Sequence, residues 1–244
     1  MTDLPRKRAL VTGGSGDIGA AICRRLARDG HFVYVHANRS AAVAEALAQQ
    51  IVAGGGHAQA LCFDITDANA AEAAVESALH EGPIQILVNN AGIHDDAAFP
   101  GMNAEQWHSV MDVSVSGFFN VTRPLMMPMI RTRWGRIVNT SSVAALIGNR
   151  GQVNYAAAKG ALNSATKALA LEVATRGITV NAIAPGIITT AMSERTFDAE
   201  TIARLVPMKR AGAPAEVAGL VAYLVSDDAG YVTAQVISIS GGMA

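Results

Sequence analysis

The sequence predicts an α/β protein: a single, doubly wound domain whose seven-stranded parallel sheet is flanked by helices. Three observations predict it. Strand-like apolar runs alternate with stretches of helical spacing from one end to the other. An early strand leads into a glycine-rich loop and then a helix. The chain has 244 residues, is 50% apolar, and contains no linker, low-complexity stretch or charge run that would divide it. A chain of this length buries roughly 70–75% of its unfolded surface, enough for one large core.

The elements follow in order. The opening MTDLPRKRALVT has basic residues but only a short apolar run, so it reads as a strand (RALVT, 8–12) and not as a signal peptide. Gly13-Gly14-Ser15-Gly16-Asp17-Ile18-Gly19 comes next. The helix after it has Ile18, Ile22, Leu26 and Ala27 at helical spacing and stops at Gly30. Glycines at such a place let the backbone turn tightly and approach a phosphate, and the helix start offers it free N–H groups. HFVYVHANRS is a second strand, followed by a helix over 41–53. AQALCFDIT is a third, with Asp64 near its end, followed by an Ala-rich helix over 68–81. IQILVNNAG is a fourth, ending in Asn89-Asn90-Ala91-Gly92. A long helix over 104–130 contains Pro124 and Pro128, which are expected to kink or divide it. GRIVNTSS, a helix over 152–175 and ITVNAIAPG come next. The mixed, polar segment 187–214 reads as a substrate flap with short helices, and Met192 and Phe197 suggest an apolar lining. A helix over 215–226 and the strand QVISISGG end the chain.

Composition narrows the function. A net charge of −1 argues against nucleic-acid and membrane-surface roles. No run of 18 apolar residues suggests a membrane span. Cys23 and Cys62, read as lying in different buried elements, fit free thiols in a reducing cytoplasm. The scattered His residues suggest no metal site.

The chemistry concentrates in Ser142–Lys159, SVAALIGNRGQVNYAAAK. A helix places Tyr155 and Lys159, four apart, on one face. A cation beside a phenol favours the phenolate and lowers the phenol pKa. Such a phenol exchanges a proton with a reacting oxygen near neutral pH. Ser142, at a strand end, would hold the same oxygen by a hydrogen bond. A Tyr-x-x-x-Lys pair alone is a common surface feature; the distant glycine loop is what gives this one weight. After the second strand, an acid would favour NAD and a basic residue the 2′-phosphate of NADP. His36-Ala37-Asn38-Arg39-Ser40 has no acid and one Arg, which points to NADP (NADPH), although Arg39 also fits a solvated loop cation.

Thr12-Gly13 with its loop, Asn89-Asn90-Ala91-Gly92, Ser142 with Tyr155 and Lys159, and Pro185-Gly186 together resemble the short-chain dehydrogenase/reductase family, over the whole chain and in family order. The runs GNRGQVNYAAAKGAL and YVTAQVISISGGM look most like its 3-oxoacyl-[acyl-carrier-protein] reductases. The resemblance implies a Rossmann-type fold and NADPH-dependent reduction of a 3-oxoacyl thioester, in fatty-acid or polyketide-type elongation. It implies that Tyr155 protonates the ketone oxygen, Lys159 lowers the pKa of Tyr155 and binds the nicotinamide ribose, and Ser142 holds the substrate. Gly13, Gly14, Ser15, Gly16 and Ile18 would wrap the pyrophosphate and adenosine side. Asp64 and Ile65 would meet the adenine, and Asn90, with Ala91 and Gly92, the neighbouring ribose. Ile188, after Pro185-Gly186, would meet the carboxamide. Arg133 and Arg176 fall where two Arg dock the acidic acyl carrier protein, and they equally fit ordinary surface charge. Family members are commonly tetramers. The small residues Ala156, Ala157, Ala158, Gly160 and Ala161 suit close helix contact and suit internal packing as well.

Two positions depart from the family pattern. Asp17 replaces a loop glycine, and the Arg often found one place earlier is Gly16 here. A carboxylate ~6 Å from a phosphate charge costs about 3 kcal/mol at an effective dielectric near 20. Asp17 escapes that cost by turning away to cap the helix, the reading favoured here. Ser114 stands where the family usually has the Asn that places a proton-feeding water, and its hydroxyl predicts a weaker relay. Two other readings remain at this stage: a reductase or dehydrogenase of a free alcohol or ketone, and a weakly active partner subunit of a related reductase.

Overall fold

The computed structural model describes residues 6–191 and 193–244, leaving aside the side chains of Glu194 and Arg195. The first five residues of the opening stretch and Met192 of the expected flap lining therefore lie outside the described residues. The strands are β1 (Arg8–Val11), β2 (Phe32–Ala37), β3 (His57–Cys62), β4 (Ile84–Asn89), β5 (Gly135–Thr140), β6 (Ile178–Pro185) and β7 (Val236–Ile239). They form one seven-stranded sheet in the order β3-β2-β1-β4-β5-β6-β7, with every pair parallel. The helices in chain order are α1 (Asp17–Arg28), α2 (Ala41–Ala53), α3 (Ala68–Leu79), α4 (Ala104–Met111), α5 (Gly117–Thr132), α6 (Ala144–Ile147) and α7 (Val153–Val173). They continue with α8 (Ser193–Thr196), α9 (Ala199–Leu205) and α10 (Pro214–Val225).

Alternation along each strand sends successive side chains to opposite faces. On β1, Ala9 and Val11 join Ile22 and Leu26 of α1, Leu47 of α2 and Val221 of α10. Leu10 points the other way, into a second core with Val75 of α3, Leu125 and Met129 of α5, and Val173 of α7. Central strands covered on both faces read as unbroken apolar runs, and β1, β5 and β6 are buried at every residue. Each fully buried Leu, Ile or Val contributes about 1.5–3 kcal/mol. Edge strand β3 is only half-covered, so Cys62 is exposed, contrary to its reading as a buried residue, while Cys23 is buried on the core side of α1.

Pro124 and Pro128 do not divide the long helix: α5 runs through both. The buried i, i+4 row Val121, Leu125, Met129 holds it against the sheet, and the ring accepts helical φ. The interruption comes earlier, as a π-helical turn over Asp112–Ser116 that joins α4 to α5. α7 ends in a 3₁₀ turn over Ala174–Arg176.

A buried polar chain ties the central strands to the two long helices. Asn89 Nδ2 donates to Asn139 Oδ1 (2.9 Å) and to Thr122 Oγ1 of α5 (3.1 Å), and Asn139 Nδ2 donates to Thr166 Oγ1 of α7 (2.8 Å). Asn139 is fully buried, so losing it strands partners out of reach of water. Asn139→Ala is expected to cost about 2–3 kcal/mol, read as a lower urea midpoint at unchanged slope. An unmoved midpoint would mean that the chain contributes nothing to folding.

Candidate active site

The order of the sheet reverses direction between β1 and β4, and in such sheets the crevice beyond the strand ends is where ligands bind. The glycine loop fills that position. Gly13 has φ +61°, a left-handed conformation that a side chain resists, and a Cβ on it would meet Ala91 Cα at 2.9 Å. A Cβ on Gly19 would lie 2.1 Å from Gly13 O, so only glycine lets α1 start against the loop. Asn90 Nδ2 donates to Thr12 O (3.0 Å) and Gly13 O (3.2 Å). Thr12 Oγ1 accepts from Asn90 N and Ala91 N, joining the ends of β1 and β4. Gly14 is buried, Ser15 and Ile18 are half-buried and Gly16 is exposed, so the loop presents an open rim.

Asp17 is not the cap of α1. The cap position is Gly16, which has no side chain to offer. Asp17 is the first helical residue, and its Oδ2 accepts from Ala191 N (2.9 Å) in segment 187–214. The carboxylate does turn away from the open N–H groups, but towards a partner distant in sequence. It still sits in the first turn, where negative charge suits the helix dipole.

Around the rim, Arg39 is exposed in the loop after β2. Asp64 Oδ1 accepts from Thr66 N (2.8 Å) and Thr66 Oγ1 (2.7 Å), and these bonds, aided by the nearby Arg39 charge, hold its carboxyl below the usual range. Ile65 is buried, and Asn120 Nδ2 of α5 donates to its carbonyl (2.9 Å). On the other side, Pro185 ends β6, and Gly186 packs so closely on Ser240 that a Cβ would meet its Cα at 2.9 Å. Ile188 is buried and bridges to Gly212, which joins the two ends of segment 187–214.

Ser142 lies just beyond β5, and its Oγ accepts from Ala144 N (3.2 Å). Tyr155 and Lys159 come from one face of α7 as expected, and the Ser142 side chain is placed to act on the Tyr155 phenol. The structure thus brings the three residues together. Their electrostatics differ from the expectation. Lys159 is buried, its Nζ donates to Thr140 O (2.8 Å) and lies 5.7 Å from the Tyr155 ring centre. Burial pushes its pKa down to about 8. The phenol of Tyr155 is pushed up, not down: burial dominates, the Ser142 bond opposes it, and Asp96 adds to the rise. With the ammonium turned to Thr140, desolvation outweighs the attraction. Gly92 admits the Lys159 head group; a Cβ there would sit 3.0 Å from Nζ.

Ser114 lies in the π-helical turn, is buried, and its Oγ has no hydrogen-bond partner among the described residues. Turns of this kind recur at functional sites. Arg133 and Arg176 lie close to each other: Arg133 Nη2 donates to Thr175 O (3.4 Å). Both are exposed beside the starts of β5 and β6, at the end of the sheet away from Tyr155.

Three contributors have no role assigned from the sequence. Thr12, which opens the glycine-loop motif, is one. Asn154, fully buried, donates from Nδ2 to Asp95 O and Gln106 O (both 2.9 Å) and accepts from Tyr155 N, anchoring the start of α7. His36 is the third: Gly13 N donates to its Nδ1 (3.0 Å). Its only sequence signal is a polar residue inside the apolar run FVYVHA.

Comparison with known proteins agrees with this geometry. The family model for short chain dehydrogenase matches residues 7–201. The chain is 44% identical over 236 residues to the 3-oxoacyl-[acyl-carrier-protein] reductase FabG of Aggregatibacter actinomycetemcomitans, covering 96% of this chain and 98% of that one. It is 41% identical over 246 residues to an acetoacetyl-CoA reductase of Acinetobacter, covering 98% of each. A solved structure from Agrobacterium tumefaciens, provisionally described as a gluconate dehydrogenase, superposes with TM-score 0.93 at 31% identity, covering 98% of this chain and 96% of that one. The uncapped loop-to-helix turn, the Ser142–Tyr155 contact with Lys159 beside it, and the family match over most of the length lead to one conclusion: the chain belongs to the short-chain dehydrogenase family.

Proposed function

We propose that the protein is an oxidoreductase that uses NADPH to reduce a 3-oxoacyl thioester, borne on an acyl carrier protein, to the 3-hydroxyacyl thioester. The observation that carries this reading is the convergence of Ser142, the Tyr155 phenol and the buried Lys159. The names of the two reductase relatives support the substrate class.

The residues fit a dinucleotide. α1 begins at Gly16 without a capping side chain, so its first N–H groups are open to an anion. Arg39, with no acid beside it in 36–40, favours the 2′-phosphate. Asp64 and Ile65 would flank the adenine, Asn90, Ala91 and Gly92 the adjoining ribose, and Ile188 the carboxamide. A bound nicotinamide would supply the hydride for such a reduction. Ser142 Oγ donates to the carbonyl oxygen and orients it. Tyr155 transfers its phenolic proton to that oxygen as negative charge builds there. The raised phenol pKa keeps this proton in place at neutral pH. Lys159 stabilises the phenolate left behind and returns a proton to it. Ser114 holds the water that recharges Lys159. The flap over 187–214 closes the substrate side.

Arg133 and Arg176 dock the acidic carrier protein. They stand about 20 Å, one six-residue strand, from the Tyr155 end of the sheet. Docking there leaves that span for the arm bearing the acyl group, within one copy or towards a neighbouring copy of a homotetramer. A second reading, reduction of a free ketone, is favoured by the likeness to the Agrobacterium structure, since the catalytic trio suits both.

Three outcomes are expected. Tyr155→Phe lowers NADPH oxidation with a 3-oxoacyl thioester by about 10²–10⁴-fold while cofactor titration is unchanged; retained turnover would remove Tyr155 as proton donor. For reduction, kcat/KM falls as pH rises through about 8, because uncharged Lys159 no longer stabilises the phenolate. A profile flat across that range would assign the charge elsewhere. Arg133→Glu with Arg176→Glu raises KM for carrier-bound substrate about tenfold or more and leaves the coenzyme A thioester unaffected. Equal kinetics on both substrates would favour the free-ketone reading.

A further inference from the structure

His36 ends up under the glycine loop, nearly inaccessible at 2% exposure. Its two ring nitrogens meet two backbone groups of opposite character. Gly13 N–H is a donor, 3.0 Å from Nδ1, so Nδ1 accepts. The Phe63 carbonyl is an acceptor, 3.0 Å from Nε2, so Nε2 carries the proton. Only the neutral Nε2–H tautomer satisfies both. Burial keeps the ring neutral, with a pKa lowered to about 4. The Phe63 ring packs edge-on against the imidazole at 4.4 Å between centroids, which fixes its orientation.

The two tethered groups matter for what they adjoin. Gly13 holds the left-handed turn that launches the loop, and its carbonyl is already taken by Gly16 N (3.1 Å) and Asn90 Nδ2 (3.2 Å). Its N–H is secured from the opposite side by His36. Phe63 immediately precedes Asp64 and Ile65, on the adenine side of the crevice. The imidazole thus spans the end of β2 between the loop that follows β1 and the segment that follows β3.

We propose that His36 is a positioning residue for cofactor binding: by accepting from Gly13 N–H it holds the glycine loop in its phosphate-ready turn, while the Phe63 bond holds the ring. This rests on the reading that a nicotinamide dinucleotide binds at the loop. It predicts that His36 governs cofactor affinity and not the rate of the bound complex, since it touches neither substrate nor reacting atoms.

Two variants separate the ring's arms. In His36→Asn the amide oxygen falls near the place of Nδ1 and can still accept from Gly13. In His36→Gln the terminal amide falls near the place of Nε2, keeping the Phe63 arm and leaving Gly13 N–H unpaired. Purified full-length chains are titrated with NADPH by fluorescence, assayed at saturating NADPH, and unfolded in urea. The expected result is a Kd about tenfold higher for His36→Gln, the loss of one buried hydrogen bond, with kcat within about twofold. His36→Asn is expected to stay within about threefold of the parent Kd. Equal Kd values for parent and His36→Gln, or equal losses in both variants in proportion to their urea midpoints, would overturn the proposal in favour of a structural role alone. Failure of the parent chain to bind NADPH or NADH would overturn the cofactor reading itself.

Discussion

The ammonium of Lys159 is buried to 2% exposure where β4 and β5 end, and a buried charge survives only among acceptors. Thr140 O supplies one at 2.8 Å. Ser141 Oγ secures the backbone of the same residue by donating to Lys159 O (3.1 Å). Gly92 clears the space for the head group. Much of the site follows from this arrangement: the strand ends must stay aligned, α7 must lie close against them, and the chain after β4 must bend away without a side chain. The cost of the burial is visible in the lowered pKa, and that same cost makes the lysine able to exchange protons near neutral pH.

Alignment of the strand ends is enforced from below by polar groups that have nowhere else to go. Asn89 and Asn139 sit opposite each other across β4 and β5, and their amides reach Thr122 of α5 and Thr166 of α7. A shift of either helix would strand a buried donor, at a cost of about 1–3 kcal/mol. The helix bearing the π-helical turn with Ser114 and the helix bearing Tyr155 are thereby held in mutual register. Asn154 repeats the device at the mouth of the site, fastening the first turn of α7 to the loop after β4 and to α4.

The two ends of the sheet are used differently. Polar tethers from Thr12, His36, Asn90 and Asp17 gather at the ends of the strands, where backbone must be shaped around a ligand. The opposite end carries Arg133 and Arg176, exposed and held near each other by the tight approach of Gly177 to the carbonyl of Arg133.

The sequence by itself determined the elements and marked the candidate trio. Short apolar runs and helical apolar spacing mark β1 to β7 and the main helices because apolar content and periodicity are local properties of the chain. Tyr155 and Lys159 are four apart on one helix, so their meeting needs no tertiary information. The glycine loop was legible for a similar reason, since its conformation limits which residues can occupy it. Tertiary structure decided the rest. Pro124 and Pro128 looked like breaks, yet packing of α5 on the sheet overrode them and the turn at Ser114 took up the irregularity. Asp17 looked like a cap, but its carboxylate pairs with Ala191, 174 residues away. The direction of the Tyr155 pKa depended on how deeply folding buries it and where Lys159 points. His36 was one polar residue in an apolar run until β1, β2 and β3 came together and gave each ring nitrogen its partner. Hydrogen-bond partners and desolvation arise from contacts between distant segments, and local pattern carries no record of them.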